Sequence, residues 1–174
     1  MDETLCNALS KACSNCNLGD GCCMGAMPPL TQRRIDILLA NGISPQQIKF
    51  KGYKRLRLKP DGFCVLFQDG VCSVHSVKPE TCVAGPFTFD VKGTILQIFL
   101  KKPSICPMVE FLKKDGKAYE GLFELSVNKI VDLVNGLPPE ELAEIVKIDE
   151  PETELVAEIK LTRSSRLDQV ARSG

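Results

Sequence analysis

The sequence predicts an α+β protein in which a small antiparallel sheet of hairpins is flanked by helices. Three observations predict it. In the middle of the chain, apolar residues alternate with polar ones between short turns, as in half-buried strands. On both sides of this stretch, apolar residues recur with the period of a helix face. Near the N-terminus, four of the nine cysteines crowd into CSNCNLGDGCC (residues 13–23), a loop punctuated by glycines.

The first elements are two helices and a turn. Residues 1–12 are expected to form a short helix that ends at the cysteine loop. The segment TQRRIDILLANG follows as a helix, with Thr31 as its N-cap and Gly42 as its stop. Ser44 then caps a short helical turn in SPQQI, where proline takes the first helical position.

The middle of the chain is expected to form strands. YKRLRLK places Leu56 and Leu58 on one face, and Arg55, Arg57 and Lys59 on a face that we expect to be solvated. FCVLF, the turn QDG and VCSVH predict one hairpin. PFTFDV, the turn KG and TILQIFLK predict a second hairpin.

Helical periodicity returns near the C-terminus. GLFELSVNKIVDLVNG and EELAEIVKI predict two helices separated by LPP. From residue 149 onwards the chain is charged and only weakly periodic. We therefore expect a cysteine-cluster metal-binding domain at 1–148, and a C-terminal tail at 149–174 that is mobile or bound to a partner.

Charge and hydropathy exclude several classes of protein. The 22 basic residues balance the 22 acidic ones, whereas nucleic-acid-binding proteins usually have a basic surplus. No apolar run reaches the roughly 20 residues that span a bilayer, and the first residues, MDETLCNALSK, do not resemble a signal peptide. We expect a cytoplasmic protein without nucleic acid or a transmembrane segment. Peripheral association with a membrane complex is compatible with this.

The cysteines carry the functional signal. A reducing compartment and an odd number of cysteines disfavour a disulfide framework and favour metal ligation. Cys13 and Cys16 have the spacing with which one tight turn offers two thiolates to a metal. Cys22 and Cys23 are adjacent, so both reach one centre only where the backbone turns sharply between them. Four more cysteines follow at positions 64, 72, 82 and 106.

These motifs resemble the CxxCxxCC family of zinc- or iron-chelating cysteine-cluster domains. The chain has CSNCNLGDGCC, the helix TQRRIDILLANGIS, GFC, CSVHSVKPETCVAGPF and ICP in the family's order. It departs from the family in a longer loop before Cys22, in Lys78 where arginine is usual, and in Met108 where glycine is common. The resemblance covers residues 13 to about 108 and implies metal or cluster binding. The expected ligands are Cys13, Cys16, Cys22, Cys23, Cys64, Cys72, Cys82 and Cys106.

A ligand set of thiols alone suits both iron–sulfur clusters and zinc. Glycines beside the ligands, apolar neighbours and more thiols than one structural zinc uses favour an iron–sulfur cluster of unknown type. The leading prediction is an electron-transfer or accessory subunit of a larger oxidoreductase, with a protein partner. The alternative is a structural zinc module that presents an interaction surface.

Other residues are expected to play no part in the site. The chain has no catalytic motif, and an enzyme that used a thiol nucleophile would lack a base. We therefore predict no catalytic residue and no complete enzyme. Cys6 lies outside the motif, and His75, the single histidine, is expected on the surface.

Overall fold

The computed structural model describes residues 22–149 and 152–161. This part of the chain contains helices and short strands, with 3₁₀ turns at Pro45–Gln47 and His75–Val77. The elements are α1 (Gln32–Ala40), β1 (Ile48–Lys51), β2 (Tyr53–Leu56), β3 (Phe67–Gln68), β4 (Val71–Cys72), α2 (Glu80–Ala84), β5 (Phe87–Lys92), β6 (Ile95–Lys101), α3 (Met108–Lys114), α4 (Gly116–Gly136), α5 (Pro139–Ile145) and β7 (Thr153–Lys160). All strand pairs are antiparallel, so the predicted α+β class is confirmed.

The first half of the described chain packs around a small core. Helix α1 begins at its predicted cap, where the Thr31 hydroxyl accepts a hydrogen bond from the Arg34 backbone N–H at 3.1 Å. Strands β1 and β2 form a hairpin beside it. The smaller core consists of the buried residues Leu30, Ile35, Leu38, Leu56, Cys64, Leu66 and Val74.

The larger core lies between the long helix α4 and the sheet β5–β6–β7. Leu96, Ile98 and Leu100 alternate along the central strand β6, so all three point to the same face, where they are buried. Helix α4 supplies Ile130 and Leu133, which are completely buried in the same cluster. Helices α3 and α5 close the ends of this core.

Strand β7 lies within the segment that the sequence assigned to the tail. Thr153–Lys160 pairs with β6 along its length, with one irregularity beside Ile98. Leu161, directly after the strand, is buried in the larger core. This stretch is therefore an edge strand of the sheet rather than mobile chain. Residues 162–174 of the predicted tail lie outside the described residues.

Arg55 also departs from expectation, because it was placed on a solvated strand face and is only 7% exposed. The chain before α1 pairs with β2 at Pro29, which brings Met27 to the arginine. The Arg55 Nη1 lies 2.9 Å from the Met27 sulfur, and the guanidinium lies 5.3 Å from the centre of the Tyr53 ring. Contacts distant in sequence thus cover a side chain that alternation alone assigns to solvent.

The remaining differences concern short elements. The hairpin around the QDG turn is shorter than predicted, with two residues in each strand. Helices α2 and α3 were not predicted, because five and seven residues contain too few turns to show a periodicity. The predicted helix at 1–12 lies outside the described residues. Among the helices that the structure describes, none is long and apolar enough to cross a membrane.

Candidate metal centre

The turn that contains Cys22 and Cys23 is joined by its backbone to the loop before Cys64. The Cys64 N–H donates to the Cys23 carbonyl at 2.8 Å, and the Gly25 N–H donates to the Gly62 carbonyl at 2.9 Å. Gly62 has a φ of +86°, a conformation that strains any residue with a Cβ. The first cysteine segment is therefore held against the second by hydrogen bonds that do not depend on the thiols.

The same turn explains how two adjacent cysteines can serve one centre. In an extended segment their side chains would point to opposite sides. Here Cys22 and Cys23 lie in a turn, and their thiols hydrogen-bond to each other. The thiol–thiol hydrogen bond lowers the pKa of Cys22 to about 6 and raises the pKa of Cys23. Both sulfurs therefore reach the same place.

Cys64 and Cys72 are positioned by the short β3–β4 hairpin. The Phe67 N–H donates to the Cys64 carbonyl at 2.9 Å, and Phe67 in turn lies opposite Cys72 in the ladder. Burial raises the pKa of Cys64, while a hydrogen bond from the Leu66 backbone N–H to its sulfur acts in the opposite direction. Such N–H···S bonds stabilise thiolate charge, and they tune metal–thiolate centres.

Cys82 reaches the centre from helix α2. The C-terminal end of that helix packs on Ser126 of α4, whose completely buried hydroxyl donates to the Leu122 carbonyl at 2.6 Å and lies 3.1 Å from the Ala84 carbonyl. Burial, and then the negative charges of the neighbouring thiolates Cys22 and Cys64, raise the pKa of Cys82 to about 12.

Three separate parts of the chain thus place thiols within range of one another's charge. Cys22, Cys64 and Cys72 raise the pKa of Cys23, and Cys72 raises that of Cys64. None of the five is in a disulfide. We call this group the five-thiol cluster; it comprises Cys22, Cys23, Cys64, Cys72 and Cys82.

Three lysines lower the pKa of thiols in the five-thiol cluster, and no sequence motif assigned these lysines to the site. The positive charges of Lys78 and Lys101 lower the pKa of Cys22, and that of Lys59 lowers the pKa of Cys64. Lys78 lies within a cysteine motif, directly before Pro79, and this position could have indicated that it is near the thiols. Lys101, at the end of β6, gave no such signal because only the tertiary fold brings it near. These cations favour thiolates and offset the negative charge that several thiolates share.

Of the other predicted ligands, the structure describes Cys106. Cys106 lies in the loop before α3 and packs against the larger core. Cys13 and Cys16 lie outside the described residues, as does Cys6. His75 is exposed at the start of a 3₁₀ turn. Within 22–149 and 152–161, no three histidine, cysteine or acidic side chains are already arranged as metal ligands.

A family model described as "Putative zinc- or iron-chelating domain" matches residues 12–119. This match covers more than half of the chain. The chain belongs to the CxxCxxCC family. No curated protein and no solved structure matches it. The CxxCxxCC region contains the whole five-thiol cluster, the predicted ligands Cys13, Cys16 and Cys106, and the lysines at 59, 78 and 101.

The donors of this CxxCxxCC protein fit the zinc or iron that its family chelates. Thiolates are soft ligands that suit both metals. Burial disfavours the thiolate form at Cys64 and Cys82, and a bound cation would offset that cost. The protein is thus a cysteine-rich metal-chelating domain by family, and five of its thiols lie close enough to affect one another's pKa.

Proposed function

We propose that this CxxCxxCC protein binds an iron–sulfur cluster through its cysteines and acts as an electron-transfer or accessory subunit of a larger oxidoreductase. The observation that carries the proposal is that five thiols from three chain segments lie close enough to affect one another's pKa. Together with Cys13 and Cys16, this set exceeds the four thiolates of one structural zinc. When bound, the cluster would supply one-electron redox chemistry.

The surroundings of the thiols support a cluster. On one side Phe63 and Phe67 stack at 4.8 Å, with the Lys59 ammonium 5.7 Å from the centre of the Phe63 ring. Apolar walls, backbone N–H groups on sulfur and nearby cations are the features by which a protein sets the potential of a cluster. Cys22 is exposed, so one edge of the centre is open to a partner.

The chain's own residues would hold the centre and exclude water from most of it. Cys64 lies in the smaller core and Cys82 is half-buried on α2. We expect a cytoplasmic protein partner to supply and receive electrons at the exposed edge near Cys22, because the described chain shows no substrate-binding motif.

A structural zinc module is the second candidate, and the small size of the core beside the thiols favours it. Seven buried residues form that core, and Cys64 is one of them. A metal that ties the N-terminal turn, the hairpin and α2 together would contribute directly to folding. In that case the centre has no redox chemistry, because zinc supplies none.

The two candidates are distinguished by anaerobic purification, followed by quantification of iron, zinc and acid-labile sulfide for each chain. We expect iron and sulfide in comparable amounts, and a visible absorption that a reductant bleaches. The Cys72→Ser variant is the control and should lose both the metal and the colour. A colourless protein that holds zinc would establish the structural module. A protein that contains neither iron nor zinc would refute both candidate functions.

A further inference from the structure

One largely buried arginine side chain, that of Arg34, links helix α1 to the chain between Cys72 and Cys82. The Arg34 Nε and Nη2 groups donate to Glu80 Oε1 at 2.9 and 2.7 Å, and Nη1 donates to the Val77 carbonyl at 2.9 Å. The side chains of Arg34 and Glu80 are 11% and 8% exposed. A single guanidinium thus holds two points of the chain, one on each side of Lys78–Pro79.

The position of Arg34 is itself fixed. Its backbone N–H donates to the N-cap hydroxyl of Thr31 at 3.1 Å. A Cβ at Gly136, the last residue of α4, would lie 2.9 Å from the Thr31 methyl group. The start of α1 is therefore packed directly on the end of α4, so Arg34 projects from a rigid base.

Both ends of α2 are consequently fixed, with Cys82 between them. Arg34 holds Glu80 at the start of the helix, and the helix packs on α4, where the Ser126 hydroxyl lies 3.1 Å from the Ala84 carbonyl. The 3₁₀ turn that leads from Cys72 into α2 ends at Val77, the other residue that Arg34 binds.

We infer that Arg34 is a positioning residue that sets the separation between the Cys72 and Cys82 thiols and thereby preorganises the metal centre. The inference rests on the proposed metal-binding function. A metal tolerates little variation in the positions of its ligands, and supporting contacts outside the ligands typically change affinity by about 10- to 100-fold. Neither Arg34 nor Glu80 is itself a predicted ligand.

A second ion pair provides a matched control. Lys54 donates to Glu141, with Nζ at 2.5 Å from Oε1 and the backbone N–H at 2.8 Å from Oε2, and the Glu141 side chain is 4% exposed. This pair joins β2 to α5, whereas Arg34 holds the chain between two cluster thiols. Removing the cation from either pair leaves a buried carboxylate without its ion partner, although Glu141 keeps the bond from the Lys54 backbone N–H, so both changes destabilise the fold. Only the change at Arg34 should act on the thiols.

The experiment measures the rate at which Zn²⁺-loaded protein transfers its metal to a chromophoric chelator under native conditions. We expect Arg34→Met to release zinc about 10- to 100-fold faster than the unmodified protein, as for other lost supporting contacts. Arg34→Lys should be intermediate, because an ammonium lacks the planar fork that reaches both Glu80 and Val77. Lys54→Met should release zinc at the unmodified rate, although denaturant unfolds it at a lower concentration.

Two results would overturn the inference. One is an unchanged release rate in both Arg34 variants. The other is an equal acceleration in Lys54→Met, which would make metal release a consequence of global stability. If Arg34→Met does not fold, the comparison of Arg34→Lys with Lys54→Met decides the question. An unmodified protein that binds no metal would refute the proposed function itself, which distinguishes that failure from a failure of the role of Arg34.

Discussion

The thiols of the five-thiol cluster differ in their surroundings. Cys64 is buried in the smaller core, whereas Cys22 is exposed and its pKa is lowered to about 6, first because the Cys23 thiol hydrogen-bonds to it. Cys82 is shielded on α2, and its pKa is raised to about 12, first by burial. A metal bound here would have ligands of two kinds: Cys22, which forms a thiolate readily, and Cys82, whose burial makes the thiolate costly.

Serine substitutions distinguish ligands from other cysteines. Cys72→Ser and Cys82→Ser should each lower metal affinity by more than about 100-fold, the upper range for contacts outside the ligands, because a hydroxyl is a poor donor to zinc or iron. Because the Cys22 and Cys23 thiols meet, both single variants at these positions should also lose metal. Cys6→Ser is the control and should keep it. Metal content for each chain is the measurement, and full occupancy in Cys72→Ser and Cys82→Ser would contradict the proposed site.

The pKa of His75 is sensitive to the positive charge beside the five-thiol cluster. Its pKa lies below 6.5, first because of the positive charge of Lys78 and then because of partial burial. A lowered histidine pKa means that the folded state binds the proton less readily than the unfolded chain does. The free energy of unfolding therefore decreases as the pH falls from above 6.5 to below the lowered pKa. Lys78→Gln should raise the His75 pKa, whereas Lys147→Gln, two residues after α5, should not, because Lys147 is not among the charges that shift it. A proton NMR titration of the single histidine measures this, and equal pKa values in all three proteins would count against the assignment.

At the scale of elements, β7 shows how a charged segment becomes part of a sheet. Its residues are partly buried or exposed without strict alternation, and it pairs with the central strand β6. Pairing satisfies the backbone groups that face β6, and Leu161 anchors its end: the Leu161 N–H donates to the Thr94 carbonyl at 2.8 Å. Because backbone pairing with β6 holds the strand in place, it needs only a few apolar contacts with the core.

Two leucines test the contribution of this strand. Leu161 is 8% exposed and Leu155 is 46% exposed. Leu161→Ala should lower the free energy of unfolding by about 2–5 kcal/mol, the range for buried leucines. Leu155→Ala should change it by less than about 0.5 kcal/mol, as is usual at the surface. Denaturant unfolding of both variants is the measurement, and a small effect at both positions would show that β7 contributes little to the core.

At the scale of the whole molecule, the described chain contains two cores of unequal size. Eighteen buried residues form the larger core, and seven form the smaller one beside the cysteines. The larger core has the area to be stable without a metal. The smaller one depends on links between segments, of which the metal would be the strongest.

Metal removal should therefore affect one part of the protein more than the other. Chelation should lower the melting temperature and speed hydrogen exchange in the segment from Arg55 to Val74, while amides of β6 and α4 keep most of their protection. Hydrogen exchange with mass spectrometry, with and without chelator, measures this. An apoprotein that melts at the temperature of the metal-loaded protein, or one that loses protection everywhere alike, would contradict the expectation.

Local patterns in the sequence predicted much of the fold and the chemistry of the site. Helix α1 begins at Thr31 as its cap predicted, and α4 ends at Gly136 as its apolar period predicted. The cysteine motifs predicted the family that the chain belongs to. These features are readable because capping, periodicity and ligand spacing act between residues that are close in sequence.

The sequence by itself determined that the protein is α+β and that cysteines carry its chemistry. Only the tertiary structure decided that Cys22 and Cys23 face the same place, that Lys101 lies beside them, that Arg55 is covered, and that Thr153–Lys160 is a strand. Each of these depends on contacts between distant segments, such as the pairing of β7 with β6 or the hold of Arg34 on Glu80. A local pattern contains no information about such contacts, because their energies depend on which surfaces meet once the whole chain has folded.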